Sequence, residues 1–437
     1  MKSDTYKQYS VLTMNTVAFA ANFAVWTMFA VIGVRIKSTL GLNETEFGIL
    51  VATPILTGSL TRLPLGILTD RFGGRIVFTA QMLLTAAACF GLTFATSYWH
   101  YLGTGLLVGL AGGSFAIGIA YTSAWFDKAH QGTAMGIFGA GNAGAAITNL
   151  VAPMILVTLG WQAVPRIYAI ALVIMAVVFW LFTYDDPKHA ERKRSGAHLT
   201  LGTQLAPVAR LQVWRFGLYY FFVFGGFVSL ALWLPKYYVT EYGLGLGTAS
   251  LITMVFTLPS GLVRALGGWL SDRFGARAVN WGVFWVCLVC LFFLSYPQTT
   301  MTIHGIEGDV SLAVGLNVWV FTVLVFVVGM SMGVGKASVY RLIADYYPDN
   351  VGSVGGLVGV LGGLGGFFLP IAYGIAADLI GVRSSAFMVL YAFVAASMIW
   401  MFFAIRRLEA MKQLDEAAEG ATQGGRKPAT GRAYSPA

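Results

Sequence analysis

Three cationic side chains, Arg62, Arg264 and Lys336, lie inside apolar runs of this sequence, whereas all nineteen Asp and Glu fall in loops, tails or helix ends. A charge near the middle of a membrane helix costs on the order of 2.5–3.5 kcal/mol on insertion scales, so it faces a protein interior or an aqueous cavity. With no mid-span carboxylate to pair with, two guanidiniums form a planar, bidentate donor site for a small oxyanion. Lys336 has a different capacity. Arginine does not carry protons at ordinary pH, but a lysine desolvated beside two arginines can release one, which makes Lys336 the candidate for proton coupling. Small residues flank it in Met332-Gly-Val-Gly-Lys336-Ala-Ser338, as suits a helix facing the interior. The alternative is snorkelling to the surface, since Arg341 and Asp345 follow closely.

Other residues could support such a site. The fifth apolar run carries Gly139, Gly141 and Gly144 around Asn142, and the eleventh carries Gly362 and Gly363 among seven glycines before Pro370. Small residues let helix backbones approach closely and slide, so these five glycines are candidates for a conformational change, with static packing as the alternative. The match of Gly139 to Gly144 to a dinucleotide fingerprint is rejected, because that motif needs a preceding strand. Asn142 and Asn149 are seven apart on one helical face, where an amide either bridges helices or meets a ligand. Tyr220 and Phe224 are one turn apart, and Phe115 follows Gly-Gly-Ser. Packing is their default, but rings beside a charged site would exclude water and wall a small pocket.

Positioning these side chains falls to membrane helices. At 57% hydrophobic and 11% charged residues, the chain is far more apolar than a soluble protein. Runs long enough to cross about 30 Å of hydrocarbon fall at 11–35, 45–69, 76–96, 100–124, 132–156 and 165–184, then at 213–238, 246–270, 278–297, 313–343, 351–378 and 384–407. The fold class is therefore an all-α membrane protein of twelve helices in two six-helix halves, 1–184 and 213–410. Between them lies a basic linker, 185–212, and after them a tail, 411–437, whose composition predicts disorder. The first run lacks a small-residue cleavage pattern and is read as a retained helix. The stretch Arg62 to Arg75 recurs 202 residues later as Arg264 to Arg277, which marks the halves as related. Each copy ends in a charged loop: Asp70, Arg71 and Arg75 in the first, Asp272, Arg273 and Arg277 in the second.

Charge sets the orientation. Twenty of the 28 Lys and Arg fall on the side of the termini, the linker and both loops, and five, Arg35, Lys37, Arg166, Lys236 and Arg383, on the other. Both ends are thus expected in the cytoplasm. Topology accounts for the net charge of +9 better than nucleic-acid binding does. Cys89, Cys287 and Cys290 lie in apolar runs and suggest neither a disulfide framework nor a metal site. Asn43 followed by Glu46 reads as a helix cap rather than a glycosylation site. No mid-span His and no nucleophile–base pair supports an enzyme.

Twelve spans, the doubled Gly-x-x-x-Asp-Arg-Phe-Gly-x-Arg loop and the basic linker resemble the major facilitator superfamily over nearly the whole chain. Arginines in the second and eighth spans, with Gly/Asn-rich runs in the fifth and eleventh, resemble its nitrate/nitrite porter (NarK-type) family. That resemblance implies Arg62 and Arg264 as anion ligands, Asn142 as a signature amide, and Tyr220, Phe224 and Phe115 as pocket walls. The eleventh span departs from the pattern in lacking an Asn within its Gly run. The implied protein is a monomeric inner-membrane secondary transporter of nitrate and nitrite, working by alternating access within the lipid bilayer. It would run as nitrate/proton symport or nitrate/nitrite exchange, with the two charged loops gating the cytoplasmic side and no cofactor or ATP. The alternative is transport of another small or organic anion.

Overall fold

The computed structural model describes residues 2–126, 131–185, 210–347 and 351–423. Among them, eleven helices are long and apolar enough to cross a membrane. They are α1 (Thr5–Leu40), α2 (Glu44–Thr69), α3 (Gly74–Leu92), α4 (Tyr98–Trp125), α5 (Ala134–Leu159), α6 (Ala163–Phe182), α7 (Leu211–Tyr242), α9 (Ala276–Leu294), α10 (Val318–Tyr346), α11 (Val354–Ile380) and α12 (Ser385–Arg406). The twelfth, α8, is a pair of segments, Leu246–Leu262 and Arg264–Phe274, that meet at 45°.

The repeat read from the sequence is a repeat of structure. Glu44–Leu60 and Leu246–Leu262 are both 17 residues, Arg62–Phe72 and Arg264–Phe274 both 11, Gly74–Leu92 and Ala276–Leu294 both 19. The turns between the last two pairs use the same backbone conformation, φ 88° at Gly73 and 83° at Gly275, a region that glycine enters without steric cost.

Two regions differ from the sequence expectation. Residues 299–314, expected in part to open the tenth span, form an antiparallel hairpin, β1 (Thr299–Gly305) and β2 (Gly308–Val314). Alternation of Thr and Ser with Met, Ile, Leu and Val explains it, because the register pairs Met301 with Leu312 and Ile303 with Val310 on one face. At the other end, the helix of α12 continues to Gln423, through the first part of the expected disordered tail. Ala, Glu, Lys, Met and Leu between 408 and 419 are strong helix formers, so propensity sustains a helix where apolar periodicity is absent. Most of the linker, residues 186–209, lies outside the described residues, as does the tail from 424.

The end of the bundle that carries the hairpin is where the halves are sewn together. Asn43 caps α2, its Oδ1 accepting from the Glu46 amide at 2.7 Å while Glu46 accepts from the Asn43 amide at 2.9 Å, so the cap reading holds. From the other half, the Asp378 carboxylate accepts from the amides of Glu44 at 3.2 Å and Thr45 at 2.8 Å. Gly48 lies against the Pro370 carbonyl and Gly374 against the Glu44 carbonyl, close enough that a Cβ at either would collide with backbone. Lys236, one of the five cations assigned to this face, is 2% exposed and pairs with Glu44 across the halves. Glu44 is a quarter exposed and keeps Lys37 at 3.4 Å, so what the loss of Lys236 removes is the ion pair across the halves. Lys236→Ala is therefore expected to lower the melting temperature by a few degrees; an unchanged melting curve would mean that this pair does not hold the halves together.

Candidate functional site

Both arginines stand where their helices are interrupted. In α2 the interruption falls at Thr61, because Pro64 has no N–H to offer the Leu60 carbonyl and the Thr61 hydroxyl donates back to the Thr57 carbonyl at 2.7 Å. In α8 it falls at Val263, four residues after Pro259. Arg62 is 5% exposed, and its Nη1 donates to the Gly359 carbonyl of α11 at 2.7 Å. Its guanidinium carbon lies 5.2 Å from the ring centres of Phe115 and Phe224 and 5.8 Å from that of Trp26. Residues of α1, α4, α7 and α11 thus surround it, two helices from each half. Arg264 stands 5.7 Å over the Tyr340 ring, and its Nη1 lies 3.4 Å from where a Gly139 Cβ would be.

Tyr340 and Tyr220 join the two cations into one cage. The Tyr340 hydroxyl donates to the Gly355 carbonyl at 3.0 Å, and its ring meets Tyr220 edge-on at 5.1 Å. Tyr220 stacks on Phe224 at 5.1 Å with only 4° between the ring planes. Phe224 lies in a π-helical turn, Phe221–Gly225, seated against Gly365 of α11. Buried here without a protein hydrogen-bond partner are Arg62 Nε, Arg264 Nη1 and the Tyr220 hydroxyl. Ring faces offset a guanidinium by about 0.5–2 kcal/mol, less than its desolvation costs. The arrangement favours a small anion that can accept from several donors at once.

Asn142 is fully buried in a 3₁₀ turn, Ala140–Ala143, one turn beyond Gly139, and neither of its amide atoms has a protein partner. Asn149 instead bridges the halves, its Nδ2 lying 3.4 Å from the Thr257 hydroxyl of α8. Lys336 does not snorkel. Its side chain is fully buried, with Nζ 3.2 Å from Ser260 Oγ and 3.5 Å from the Phe227 ring centre. Ser260 is one turn before Arg264, so Lys336 of α10 meets α8 one turn from the second arginine.

The five glycines separate by place. Gly363 of α11 abuts Ser59 of α2 and Gly139 abuts Arg264, both across the halves. Gly141 and Gly144 pack on Phe19 and Ala20 of α1, and Gly362 packs on Tyr220 of α7, each within one half. Bulk at Gly363 is accordingly expected to slow turnover more than it weakens anion binding, because the contact must change as the halves move. Gly141→Leu, with no room beside Phe19, is expected to lower stability instead. Comparing turnover, anion affinity and melting temperature tests this. Unchanged turnover in Gly363→Leu would return that glycine to inert packing.

The expected charged loops are single-glycine turns: Asp70, Arg71, Asp272 and Arg273 end one helix, and Arg75 and Arg277 begin the next. Arg75 donates to the Trp180 carbonyl at 2.6 Å, stacks on the Trp180 ring at 4.2 Å, and lies 3.5 Å from Asp185. Asp272 pairs with Arg341 at 3.3 Å, and Arg277 donates to the Tyr346 hydroxyl. Arg71 lies over Phe72, and Arg273 between Trp269 and Phe274. The Asp70 side chain lies outside the described residues.

Sequence reasoning missed Trp26, Phe227, Ser260 and Tyr340. Two of these left a signal: Phe227 continues the stripe of Tyr220 and Phe224 at a spacing of three, and Tyr340 is one turn from Lys336.

A model of the Major Facilitator Superfamily matches residues 15–316. The chain is 42% identical over 411 residues to the probable nitrate/nitrite antiporter NarK1 of Thermus thermophilus, covering 91% of this chain and 92% of that one. It is 30% identical over 401 residues to the nitrite extrusion protein of Bacillus subtilis (strain 168), covering 91% and 95%. Among solved structures it resembles a bacterial homologue of the human lysosomal transporter Spinster, in an inward-facing and unoccupied conformation. The TM-score is 0.70 at 15% identity, covering 92% of this chain and 97% of that one.

Proposed function

The chain belongs to the Major Facilitator Superfamily and, within it, to the nitrate/nitrite porters, so it is a transporter and not an enzyme, and we propose that it carries nitrate and nitrite by alternating access. The observation that carries this reading is the pair Arg62 and Arg264, joined by Tyr220, Phe224 and Tyr340 into a cage whose donors face no carboxylate among the described residues. A planar trigonal oxyanion can accept in-plane from two guanidinium forks while aromatic faces cover it. Close ring packing supports a small anion over an organic one, since Phe224, Tyr220 and Phe115 are each under 9% exposed.

The halves are sewn at the hairpin end from Glu44 and Asp378 down to Arg62 and Gly359, which fits a state closed on that side. With the basic loops and linker in the cytoplasm, the closed side is the outer one of the inner membrane. Proton coupling through Lys336 would make the cycle nitrate/proton symport. Exchange of nitrate for nitrite needs only that an anion neutralise the cage before it closes. Counterflow in proteoliposomes, comparing nitrite-loaded with empty vesicles under an imposed pH gradient, tests the assignment. Uptake that labelled nitrate does not show, or that organic anions compete away, would overturn it, and binding without net flux would make the protein a sensor.

A further inference from the structure

The start of α9 carries anion-binding features outside the arginine cage. A cleft of about 560 Å³ opens there, lined by Gly275, Arg277, Ala278, Trp281, Phe402 and Arg406 among others, and none of the lining residues is acidic. Gly275 caps α9 without a side-chain hydrogen bond, so first-turn N–H groups of this 19-residue helix are uncapped at the cleft, where the helix dipole favours negative charge. Arg277 extends from that first turn. Arg406 reaches the cleft from the end of α12, its guanidinium 4.6 Å from the Phe402 ring centre.

The other half shows how the equivalent position is completed. At the start of α3, Gly73 likewise provides no side-chain cap, and Arg75 corresponds to Arg277. There the chain supplies its own acceptors: Arg75 stacks on Trp180, donates to the Trp180 carbonyl and faces Asp185 from the end of α6. In the second half Arg277 donates only to the neutral Tyr346 hydroxyl among the described residues, while the end of α12 brings Phe402 in place of the ring and a second arginine in place of the acid. The nearby Asp272 and Asp345 are both engaged with Arg341 at 3.3 Å.

We infer that this cleft binds an anionic phospholipid, its phosphate held by the α9 N-terminus, Arg277 and Arg406, and its acyl chains lying along Trp281 and Phe402. The apolar wall selects lipid over a dissolved ion. Phe402 is 40% exposed and Trp285, one turn below Trp281 and in edge contact with it, is 48% exposed. Aromatic rings of that kind at the end of a span mark the bilayer interface, and basic pockets between helices on the cytoplasmic side hold lipid phosphates.

The test uses the full-length protein in detergent, titrated by native mass spectrometry with phosphatidylglycerol, phosphatidylcholine of the same chains, and inorganic phosphate. Phosphatidylglycerol is expected to bind in preference to phosphatidylcholine. Arg406→Gln is expected to weaken it about tenfold, the effect of losing one charge-assisted contact. Arg406 is exposed, so this change leaves no buried group unpartnered and the variant folds. Trp281→Leu is expected to weaken both lipids, and Arg166→Gln, at the hairpin end, neither. Equal phosphatidylglycerol affinity in Arg406→Gln would overturn the assignment. Inorganic phosphate displacing the lipid at equal concentration would overturn it in favour of a solute-anion site.

Discussion

Arg62→Lys and Arg264→Lys are each expected to cut nitrate uptake into proteoliposomes by at least about tenfold, the lower end of what a lost charge-assisted hydrogen bond contributes in a buried site. The two changes fail differently. Arg62 already spends Nη1 on the Gly359 carbonyl, and its buried Nε remains to meet an anion. A lysine there can satisfy Gly359 or the anion, with one compact ammonium for both. At position 264 the guanidinium lies over Tyr340 with Nη1 unpartnered, and a lysine keeps the charge but loses the plane that matches a trigonal oxyanion. Both variants keep the buried positive charge and its ring contacts, so melting temperatures are expected to change little. The measurement is initial uptake of labelled nitrate alongside a melting curve. Near-normal uptake by either folded variant removes that arginine from the ligand set.

Loss of pH-driven uptake with retained exchange is the expected phenotype of Lys336→Ala. The ammonium is fully buried against the Phe227 ring and Ser260, which is one helical turn before Arg264, with no carboxylate in contact among the described residues. An anion bound at Arg264 would bring negative charge beside the Lys336 amine, so anion and proton would load together. Removing the amine removes the proton from the cycle but not the arginines that hold the anion. In proteoliposomes the variant should show no stimulation of nitrate uptake by an acid-outside gradient while still exchanging internal nitrite for external nitrate. Lys336→Met, closer in volume, separates lost coupling from a packing defect. Full pH-driven uptake by either variant would leave Lys336 without a coupling role.

What could be read from the chain alone was set by local physics. Hydropathy over some twenty residues decides whether a segment can cross a bilayer, so eleven spans and the bent twelfth emerged near their expected limits. Arg62, Arg264 and Lys336 stood out because a charge in an apolar run is costly wherever its helix finally packs. The recurrence of 62–75 at 264–277 was visible because related halves keep their turn glycines and charges in register, and the structure extends it to 44–92 and 246–294. Asn43 and Glu46 announced their cap through spacing alone.

Tertiary structure decided everything that depends on which face of one helix meets which face of another. Nothing near Gly363 in the sequence distinguishes it from Gly362, yet one abuts Ser59 across the halves and the other Tyr220 within its own. Lys236 counted only as an outer cation until it was found buried against Glu44, 192 residues away. The same holds for the cage. Gly359 accepts from Arg62 across 297 residues, and Tyr340 lies between the arginines because α10 packs beside α8 and α11. A helix's rotation about its axis is fixed by the side chains of its neighbours, and those contacts join positions too distant in the chain for any local pattern to record.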